Sequence, residues 1–349
     1  MTSGRPDVPA ESRRARIAVV APCYNEADAV QLFYRELKGV LERLDRYDHE
    51  IIFIDDGSTD ATLRILNDLA ARDASVKVYS FSRNFGHQIA LSAGIDVSTA
   101  DALVMLDSDL QHPPALIPEM IRLFETGVDV VSAQRTTTDG ASRFKVLSSR
   151  MFYRIINLLS DTAIPDGAAD FCLLSNRAQA ALRAMPERHR FVRGMVAWIG
   201  FPRAYVSYHA PMRSGGDSKY TPFRMLALAR EAVFSFSATP VRLATRGGAA
   251  VAACGGVYLL YVIIRYFTEH DLERGWGSLI ATVLILGGLQ LAFIGLIGEY
   301  LVRVFEEAKG RPLYLFKQRP PGPSGCAADG DHLVARPRST VDSDHSNSA

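Results

Sequence analysis

Two aspartates separated by one residue, Asp107 and Asp109, have the clearest capacity for chemistry in this chain. They directly follow the apolar run of residues 102–106. Paired carboxylates just past a buried strand suit a hard divalent cation held against the phosphates of a ligand. The spacing alone is a weak signal, because most such pairs are solvated turn residues. It gains weight here because polar clusters also follow three earlier apolar runs.

Those three clusters are Cys23-Tyr24-Asn25-Glu26, residues 55–60 and residues 83–88. Apolar runs alternate with segments that carry apolar residues at helical spacing, which predicts βαβ units and a mostly parallel sheet covered by helices on both faces. We predict strands at 17–21, 50–54, 76–81, 102–106 and 128–133, and helices at 28–44, 59–71, 88–95 and 116–124. Ligands bind outside the carboxyl ends of such strands, so the clusters are expected to form one site.

Composition excludes several other classes. The chain has 39 basic and 38 acidic residues, so its charge gives no support to a nucleic-acid partner. Its four cysteines are scattered without metal-ligand spacing, which favours a reducing compartment over a disulfide framework. Residues 1–16 are polar and basic without an apolar stretch, so we expect a disordered N-terminus and no cleaved signal peptide.

The chemistry of the chain changes after Arg246. Residues 247–264 and 277–298 carry no charge, and both segments are long enough to cross a hydrocarbon core of about 30 Å. We therefore predict a two-helix transmembrane hairpin. The basic residues outside it outnumber those in its linker, so the positive-inside rule puts the preceding domain, 17–222, in the cytoplasm. Residues 223–240 are interpreted as an interfacial amphipathic helix, 299–316 as a juxtamembrane helix and 317–349 as a disordered tail.

Taken together, the motifs resemble the family 2 glycosyltransferases, specifically the polyprenyl-phosphate glycosyltransferases. The resemblance covers about residues 17–316. It rests on Pro22-Cys23-Tyr24-Asn25-Glu26, on residues 55–60, 83–88 and 107–114, and on the stretch from Glu299 to Tyr314. It implies a nucleotide-sugar-binding, Rossmann-like GT-A sheet and transfer of a sugar from a nucleotide to a lipid phosphate.

The resemblance also implies roles for individual residues. It assigns Glu26 to the ribose hydroxyls, and Asp56 is expected to accept from the base or the ribose. Asp107 is expected at the ribose or in the metal's outer sphere, while Ser58 and Asp60 have helix capping as an alternative. The remaining residues expected around the nucleotide sugar are Pro22, Tyr24, Asn84, Ser108 and Arg135.

Asp109 and Gln111 are carried over as ligands of Mg²⁺ or Mn²⁺. His112, which precedes Pro113-Pro114, is interpreted as a turn residue, with a metal ligand as the alternative. A metal would neutralise charge on the departing nucleoside diphosphate. The lipid phosphate is already largely ionised at neutral pH, so it needs cations more than it needs a general base. The residues expected to hold it are Lys145, Ser149, Arg213 and Lys219, with Arg135 as a further candidate.

Asp170 matches the acid regarded as catalytic in this group. The chain departs from the family pattern two residues later, where Cys172 stands in place of the usual arginine, which puts the sugar preference in doubt. Cys172 is interpreted as a packing residue. Trp198 is interpreted as part of the core, with a sugar-stacking platform as the alternative. We assign Asp170, Arg213 and Asp109 to catalysis.

These expectations combine into an inverting, metal-dependent glycosyltransferase of the bacterial inner membrane. It would be multi-pass, with a nucleotide sugar, undecaprenyl phosphate and membrane lipids as its partners. UDP-glucose is the first choice of donor, while GDP-mannose, UDP-GlcNAc and UDP-aminoarabinose remain open, as does a homo-oligomeric state. The alternative from another class is a non-catalytic membrane scaffold that binds nucleotide sugar.

Overall fold

The computed structural model describes residues 14–110, 112–136, 168–209, 239–269 and 276–320. Within them, one eight-stranded sheet has the order β7-β5-β6-β4-β1-β2-β3-β8. The strands are β1 (Ala15–Cys23), β2 (Tyr47–Asp55), β3 (Val76–Phe81), β4 (Ala102–Met105), β5 (Val130–Thr136), β6 (Ala168–Ser175), β7 (Arg203–His209) and β8 (Phe316–Gln318).

The sheet is mixed rather than mostly parallel. Strands β4, β1, β2 and β3 are parallel neighbours, as the alternation of strand and helix predicted. Strand β6 runs antiparallel between β4 and β5, and β8 runs antiparallel to β3 at the other end. The prediction was too simple because it included no strand after 128–133, so β6, β7 and β8 were missed together with their directions. Seven successive residues of β1, 17–23, are buried, so both faces of the sheet are covered.

The helices of this sheet domain are α1 (Val30–Leu41), α2 (Thr62–Arg72), α3 (His87–Val97), α4 (Ile117–Phe124), α5 (Asn176–Ala184) and α6 (Val192–Trp198). Helix α1 shows why they form: Val30, Phe33, Leu37 and Leu41 recur at helical spacing and are all fully buried. The predicted bounds differ from the observed ones by a few residues at the helix ends. The short connections between these elements carry the polar clusters.

Two long helices form a separate compact unit, α7 (Thr239–Glu269) and α8 (Trp276–Ala308). They approach closely at Gly248, where an added Cβ would lie 3.6 Å from Cε2 of Phe293. Both predicted spans fall inside these helices. Among the described helices, however, only the segment Leu286–Ala308 has the length and apolar composition of a membrane span.

After α8 the chain returns to the sheet. The helix predicted for 299–316 ends at Ala308, since Gly310 takes a left-handed backbone (φ +58°) and Pro312 follows. Residues 316–318 then form β8, so the expected disordered tail cannot begin at 317. The predicted amphipathic helix at 223–240 lies outside the described residues except for its last two, and so does the N-terminus up to residue 13.

Candidate active site at one edge of the sheet

The polar clusters meet at one edge, because β4, β1, β2 and β3 all end there. Strand β6 is antiparallel to β4 and therefore begins at the same edge. Its register ends with Met105 paired to Cys172, and the same register continued for two residues leads from Asp107 to Asp170. The sheet thus brings the residue pair after β4 next to the acid at the start of β6.

The loops after β1 and β2 are joined by hydrogen bonds. The backbone N–H of Asn25 donates to Oγ of Ser58 (3.0 Å), and the N–H of Thr59 donates to Oδ1 of Asn25 (2.9 Å). The N–H of Glu26 donates to Oγ1 of Thr62 at 2.9 Å. Asn25 adopts a left-handed backbone (φ 55°), which asparagine tolerates better than most residues. The two loops therefore form one hydrogen-bonded rim of the edge.

Residues expected around the nucleotide sugar are placed differently along this rim. Tyr24 is 45% exposed, Asn84 is exposed, Glu26 is partly exposed and Pro22 is buried. Asp60 accepts from the backbone N–H of Thr62 (2.9 Å) and of Ala27 (3.3 Å) near the start of α2, which supports the capping alternative for that residue. The nucleotide contacts themselves stay predictions.

The two aspartates at the end of β2 differ in burial and in role. Asp55 is fully buried and accepts from the hydroxyl of Ser80 at 2.7 Å. Asp56 accepts from the backbone N–H of Phe85 at 2.7 Å and of Gly86 at 2.9 Å. Burial raises the pKa of Asp56, against the lowering effect of these two N–H groups. Asp56 therefore fixes the loop that leads from β3 into α3.

Gly57 allows that loop to come close. Its φ of +69° is left-handed, and an added Cβ would lie 2.4 Å from the carbonyl carbon of Arg83. No larger residue fits without moving the backbone. The glycine thus sets the distance between the β2 and β3 loops.

The segment after β4 holds the candidate metal ligands. Ser108 is buried and donates its hydroxyl to the carbonyl oxygen of Pro22 at 2.9 Å, which favours a positioning role for this residue. Asp107, Asp109 and His112 each offer one ligand atom, and these atoms all lie within 4.8 Å of one another. Among the described residues, Oδ1 of Asp107 and Nδ1 of His112 are buried without a hydrogen-bond partner. Orphaned buried acceptors of this kind fit a cation at this position.

His112 differs from its interpretation as a simple turn residue. Its ring packs near Phe171 and Tyr208, with centroid distances of 5.7 and 5.9 Å. Its Nδ1 lies 3.3 Å from Oδ2 of Asp107. The sequence pattern His-Pro-Pro indicated a turn, but only the packing of β6 and β7 shows that the ring turns toward the carboxylates.

Asp170 is held from two helices. Its Oδ1 accepts from Nε of Arg193 at 3.2 Å, and its Oδ2 accepts from Nε2 of Gln88 at 3.2 Å. Nε2 of His87 lies 3.7 Å from the same Oδ2. Burial favours the neutral acid, but the charge of Arg193 and the contact with His87 outweigh it and hold the pKa of Asp170 well below its usual range. Asp170 is therefore ionised and weakly basic.

His87 bridges the two acidic groups. The same Nε2 atom that faces Asp170 lies 3.4 Å from Oδ1 of Asp107. Burial favours the neutral ring, but contact with Asp170 and the charge of Asp107 raise the pKa of His87. His87 and Gln88 were included in the polar cluster 83–88, but no role was assigned to these two residues or to Arg193. The cluster 83–88 was a signal for the first two. Arg193 lies in the segment Glu187 to Phe201, which resembles the acceptor-side helix of the family, but no role was assigned to it.

Two further interpretations can be checked. Cys172 is buried, and burial raises the pKa of its thiol to about 12, so it is a packing residue as predicted. Trp198 is 64% exposed, so its assignment to the core was wrong. It ends the short helix α6, where its ring extends beyond the packed face.

Arg135 lies near the end of β5, at the same edge as Asp107, because β5 runs parallel to β4 on the far side of β6. The other predicted residues lie outside the described residues. These are Gln111 for the metal, and Lys145, Ser149, Arg213 and Lys219 for the acceptor phosphate.

Comparison with known proteins gives one family. Residues 18–181 match the model of glycosyl transferase family 2. An uncharacterized glycosyltransferase of Bacillus subtilis (strain 168) is 38% identical over 308 residues, which cover 88% of this chain and 95% of that protein. A prophage bactoprenol glucosyl transferase homolog of Escherichia coli (strain K12) is 38% identical over 303 residues, covering 87% and 99%. The bactoprenol glucosyl transferase of Shigella phage SfX is 38% identical over 304 residues, with the same coverage.

Solved structures are less similar. A glucosyl-3-phosphoglycerate synthase of Mycobacterium tuberculosis, in complex with Mn²⁺, UDP-glucose and phosphoglyceric acid, has a TM-score of 0.41 and 18% identity, covering 63% of this chain and 78% of that one. A mannosyltransferase of Pyrobaculum calidifontis, in complex with GDP-mannose and Mn²⁺, has a TM-score of 0.40 and 16% identity, covering 83% and 88%. Neither similarity reaches a level at which ligands or chemistry can be carried over.

Proposed function

This chain belongs to the family 2 glycosyltransferases, and from that premise we propose that it transfers a hexose from a nucleotide sugar to a polyprenyl phosphate with inversion at the anomeric carbon. The observation that carries the proposal is the convergence of Asp107, Asp109 and Asp170 at one sheet edge, with His112 beside the first two. The relatives named bactoprenol glucosyl transferase support a polyprenyl acceptor and make glucose the first choice of sugar. UDP-glucose is our proposed donor.

A divalent cation is part of the proposal. Asp107, Asp109 and His112 would hold it together with Gln111, and the orphaned atoms of Asp107 and His112 support that assignment. When bound, Mg²⁺ or Mn²⁺ would neutralise negative charge on the nucleoside diphosphate. The loops after β1 and β2 would hold the nucleoside, with Glu26 at the ribose. Asp56 would fix the loop that leads from β3 into α3.

The ionisation state of Asp170 agrees with a phosphate acceptor. A phosphate monoester has its second pKa near 6, so the attacking oxygen carries charge at neutral pH and needs no strong base. Asp170 is a weak base because Arg193 and His87 stabilise its carboxylate. We infer that Asp170 orients the donor as a hydrogen-bond acceptor, while Lys145, Ser149, Arg213 and Lys219 hold the acceptor phosphate.

We further propose that α7 and α8 together anchor the enzyme in the inner membrane as a hairpin. Helix α7 has 31 residues and α8 has 33, and at about 1.5 Å per residue each exceeds a bilayer's apolar thickness. The small residues of α7 suit close helix contact in lipid, as at Gly248. Basic residues on the outer flanks favour a cytoplasmic catalytic domain.

The test is a donor panel. Membranes that contain the full-length chain are incubated with undecaprenyl phosphate and with labelled UDP-glucose, GDP-mannose, UDP-GlcNAc or UDP-aminoarabinose in turn. We expect label to enter the organic phase from UDP-glucose. If label enters the organic phase from another donor of the panel instead, the proposed sugar is wrong but the proposed transfer to lipid stands. Nucleotide-sugar binding without any lipid product would instead support a non-catalytic scaffold.

A further inference from the structure

The carboxylate of Asp170 is held by hydrogen bonds from two side chains, which an acid that contacts only solvent does not need. Its two carboxylate oxygens receive different donors, Nε of Arg193 on Oδ1 and Nε2 of Gln88 on Oδ2, each at 3.2 Å. The side chain is 12% exposed. Nε2 of His87 also lies 3.7 Å from Oδ2. One carboxylate has about four lone-pair positions, so these three groups leave acceptor capacity for one further donor.

The donors are themselves fixed. Gln88, which donates to Oδ2 through its Nε2, also accepts a hydrogen bond from the backbone N–H of Val192 at its Oε1 (2.8 Å). This second hydrogen bond sets the orientation of the Gln88 amide group. Val192 and Arg193 are the first two residues of α6, and Gln88 is the second residue of α3. The start of each helix therefore determines where the carboxylate of Asp170 points.

The strand that carries Asp170 supplies no cation beside it. Cys172, two residues further along β6, is buried and carries no charge. Arg193 supplies a guanidinium to Asp170 from a different element. The charge at Asp170 is thus met from α6 and not from its own strand.

We propose, on the basis of the proposed function, that Arg193 and Gln88 are positioning residues for the transfer. They hold Asp170 in one orientation, in which its remaining lone pairs accept a hydrogen bond from a hydroxyl of the transferred hexose. The pair determines how the donor sugar is oriented toward the attacking phosphate. A misplacement of about 1 Å in such a group can cost about 100-fold in rate.

The variants are Arg193→Gln, Arg193→Lys, Gln88→Met and Asp170→Asn, together with the double variant Arg193→Gln/Asp170→Asn. Arg177→Gln is the matched control, because Arg177 also pairs with an aspartate, Asp129 at 3.6 Å, but on α5 and at the opposite end of β6. Each variant is measured in full-length form for kcat, acceptor KM, nucleotide-sugar Kd and thermal unfolding.

We expect Arg193→Gln to lower kcat by about 100-fold without changing nucleotide-sugar Kd, and Arg193→Lys to recover part of the loss. The double variant should be no slower than Asp170→Asn alone, because both changes remove one unit. Gln88→Met should lower kcat in the same direction, and Arg177→Gln should leave it unchanged. Normal kcat in both Arg193→Gln and Gln88→Met, or fully additive losses in the double variant, would overturn the proposal.

A second arm identifies the hydroxyl. Deoxy analogues of the accepted donor, each lacking one sugar hydroxyl, are compared in wild type and in Asp170→Asn. One analogue should be slow with wild type and lose nothing further with Asp170→Asn. If every analogue loses equally in both proteins, Asp170 does not bind a sugar hydroxyl. A wild-type enzyme that transfers no sugar from any donor contradicts the proposed function itself, which separates that failure from failure of the positioning role.

Discussion

Asp107 follows β4 and Asp170 lies in the antiparallel strand β6, and Nε2 of His87 lies 3.4 Å from the carboxylate of the first and 3.7 Å from that of the second. One imidazole thereby links the candidate metal ligands to the acid at the start of β6. The relation depends on the antiparallel insertion of β6 beside β4, since a parallel β6 would end with Ser175 at this edge.

Asp109→Ala tests the metal site. Asp109 is exposed, so its loss should leave thermal unfolding nearly unchanged, within about 0.5 kcal/mol. Transfer should fall by more than about 100-fold, because loss of an outer-sphere partner of a metal alone costs about 10–100-fold. EDTA should stop the wild-type reaction, and added Mg²⁺ or Mn²⁺ should restore it. The control is Asp68→Ala on an exposed position of α2, and near-normal transfer by Asp109→Ala in EDTA would refute the assignment.

Gly57→Ala tests the approach of the two loops. The alanine would require an unfavourable φ, and its Cβ would lie 2.4 Å from the carbonyl carbon of Arg83. We expect a loss of about 2 kcal/mol in the free energy of unfolding and weaker nucleotide-sugar binding. Gly39→Ala in α1 is the comparison, because the added Cβ would have no atom outside its own helix backbone within 4 Å. This variant should be neutral or stabilise by about 0.5–1 kcal/mol. Equal stabilities for the two variants would show that the loop contact is not needed.

Asp73→Asn tests an ion pair away from the site. Asp73 lies 2.7 Å from Nζ of Lys38 and accepts from the hydroxyl of Tyr34 at 2.8 Å. Partial burial favours the neutral acid, but hydrogen bonds from Lys38, Ser75 and Tyr34 outweigh it and lower the pKa of Asp73.

A lowered folded-state pKa means that this stability is complete above the unfolded pKa of about 3.9 and is lost as the pH falls below it. Asp73→Asn should therefore cost about 1 kcal/mol at pH 7, and the difference from wild type should shrink toward pH 3. Urea unfolding at a series of pH values measures it. A difference in unfolding free energy between wild type and Asp73→Asn that grows as the pH falls would contradict this prediction.

Tyr314→Ala tests the return of the chain to the sheet. Tyr314 is 2% exposed, stacks on Phe81 with centroids 5.1 Å apart and donates its hydroxyl to Asp96 at 3.2 Å. The alanine variant should lose about 3 kcal/mol in the free energy of unfolding, and Tyr314→Phe about 1 kcal/mol. Leu315→Ala, at a 36% exposed neighbour, is the control.

If Tyr314→Ala and Leu315→Ala unfold at the same temperature, the return segment is not part of the folded domain. The same contacts bear on truncation. A chain cut after Ser237 would lack β8 and expose the edge of β3, so it should be less stable than the catalytic domain in the full chain.

The sequence predicted local features better than distant pairings. The strands β1 to β4 and the edge that carries Asp56, Asp107 and Asp109 could be predicted, because apolar runs followed by polar clusters determine them locally. Strand β6 and its antiparallel direction were not predicted, and with them the placement of His87 and Arg193 around Asp170 was missed. The pairing of Phe81 with Phe316 was also beyond reach, because the β8 segment is short and far along the chain.

The most direct measurement is the mass of the lipid made from undecaprenyl phosphate and UDP-glucose by purified full-length protein. Wild type should convert the acceptor to a product heavier by one hexosyl residue, in a reaction that needs a divalent cation, while Asp109→Ala should leave it unchanged. Unmodified undecaprenyl phosphate after incubation of wild type with every donor of the panel would contradict the account. So would an equal yield from Asp109→Ala.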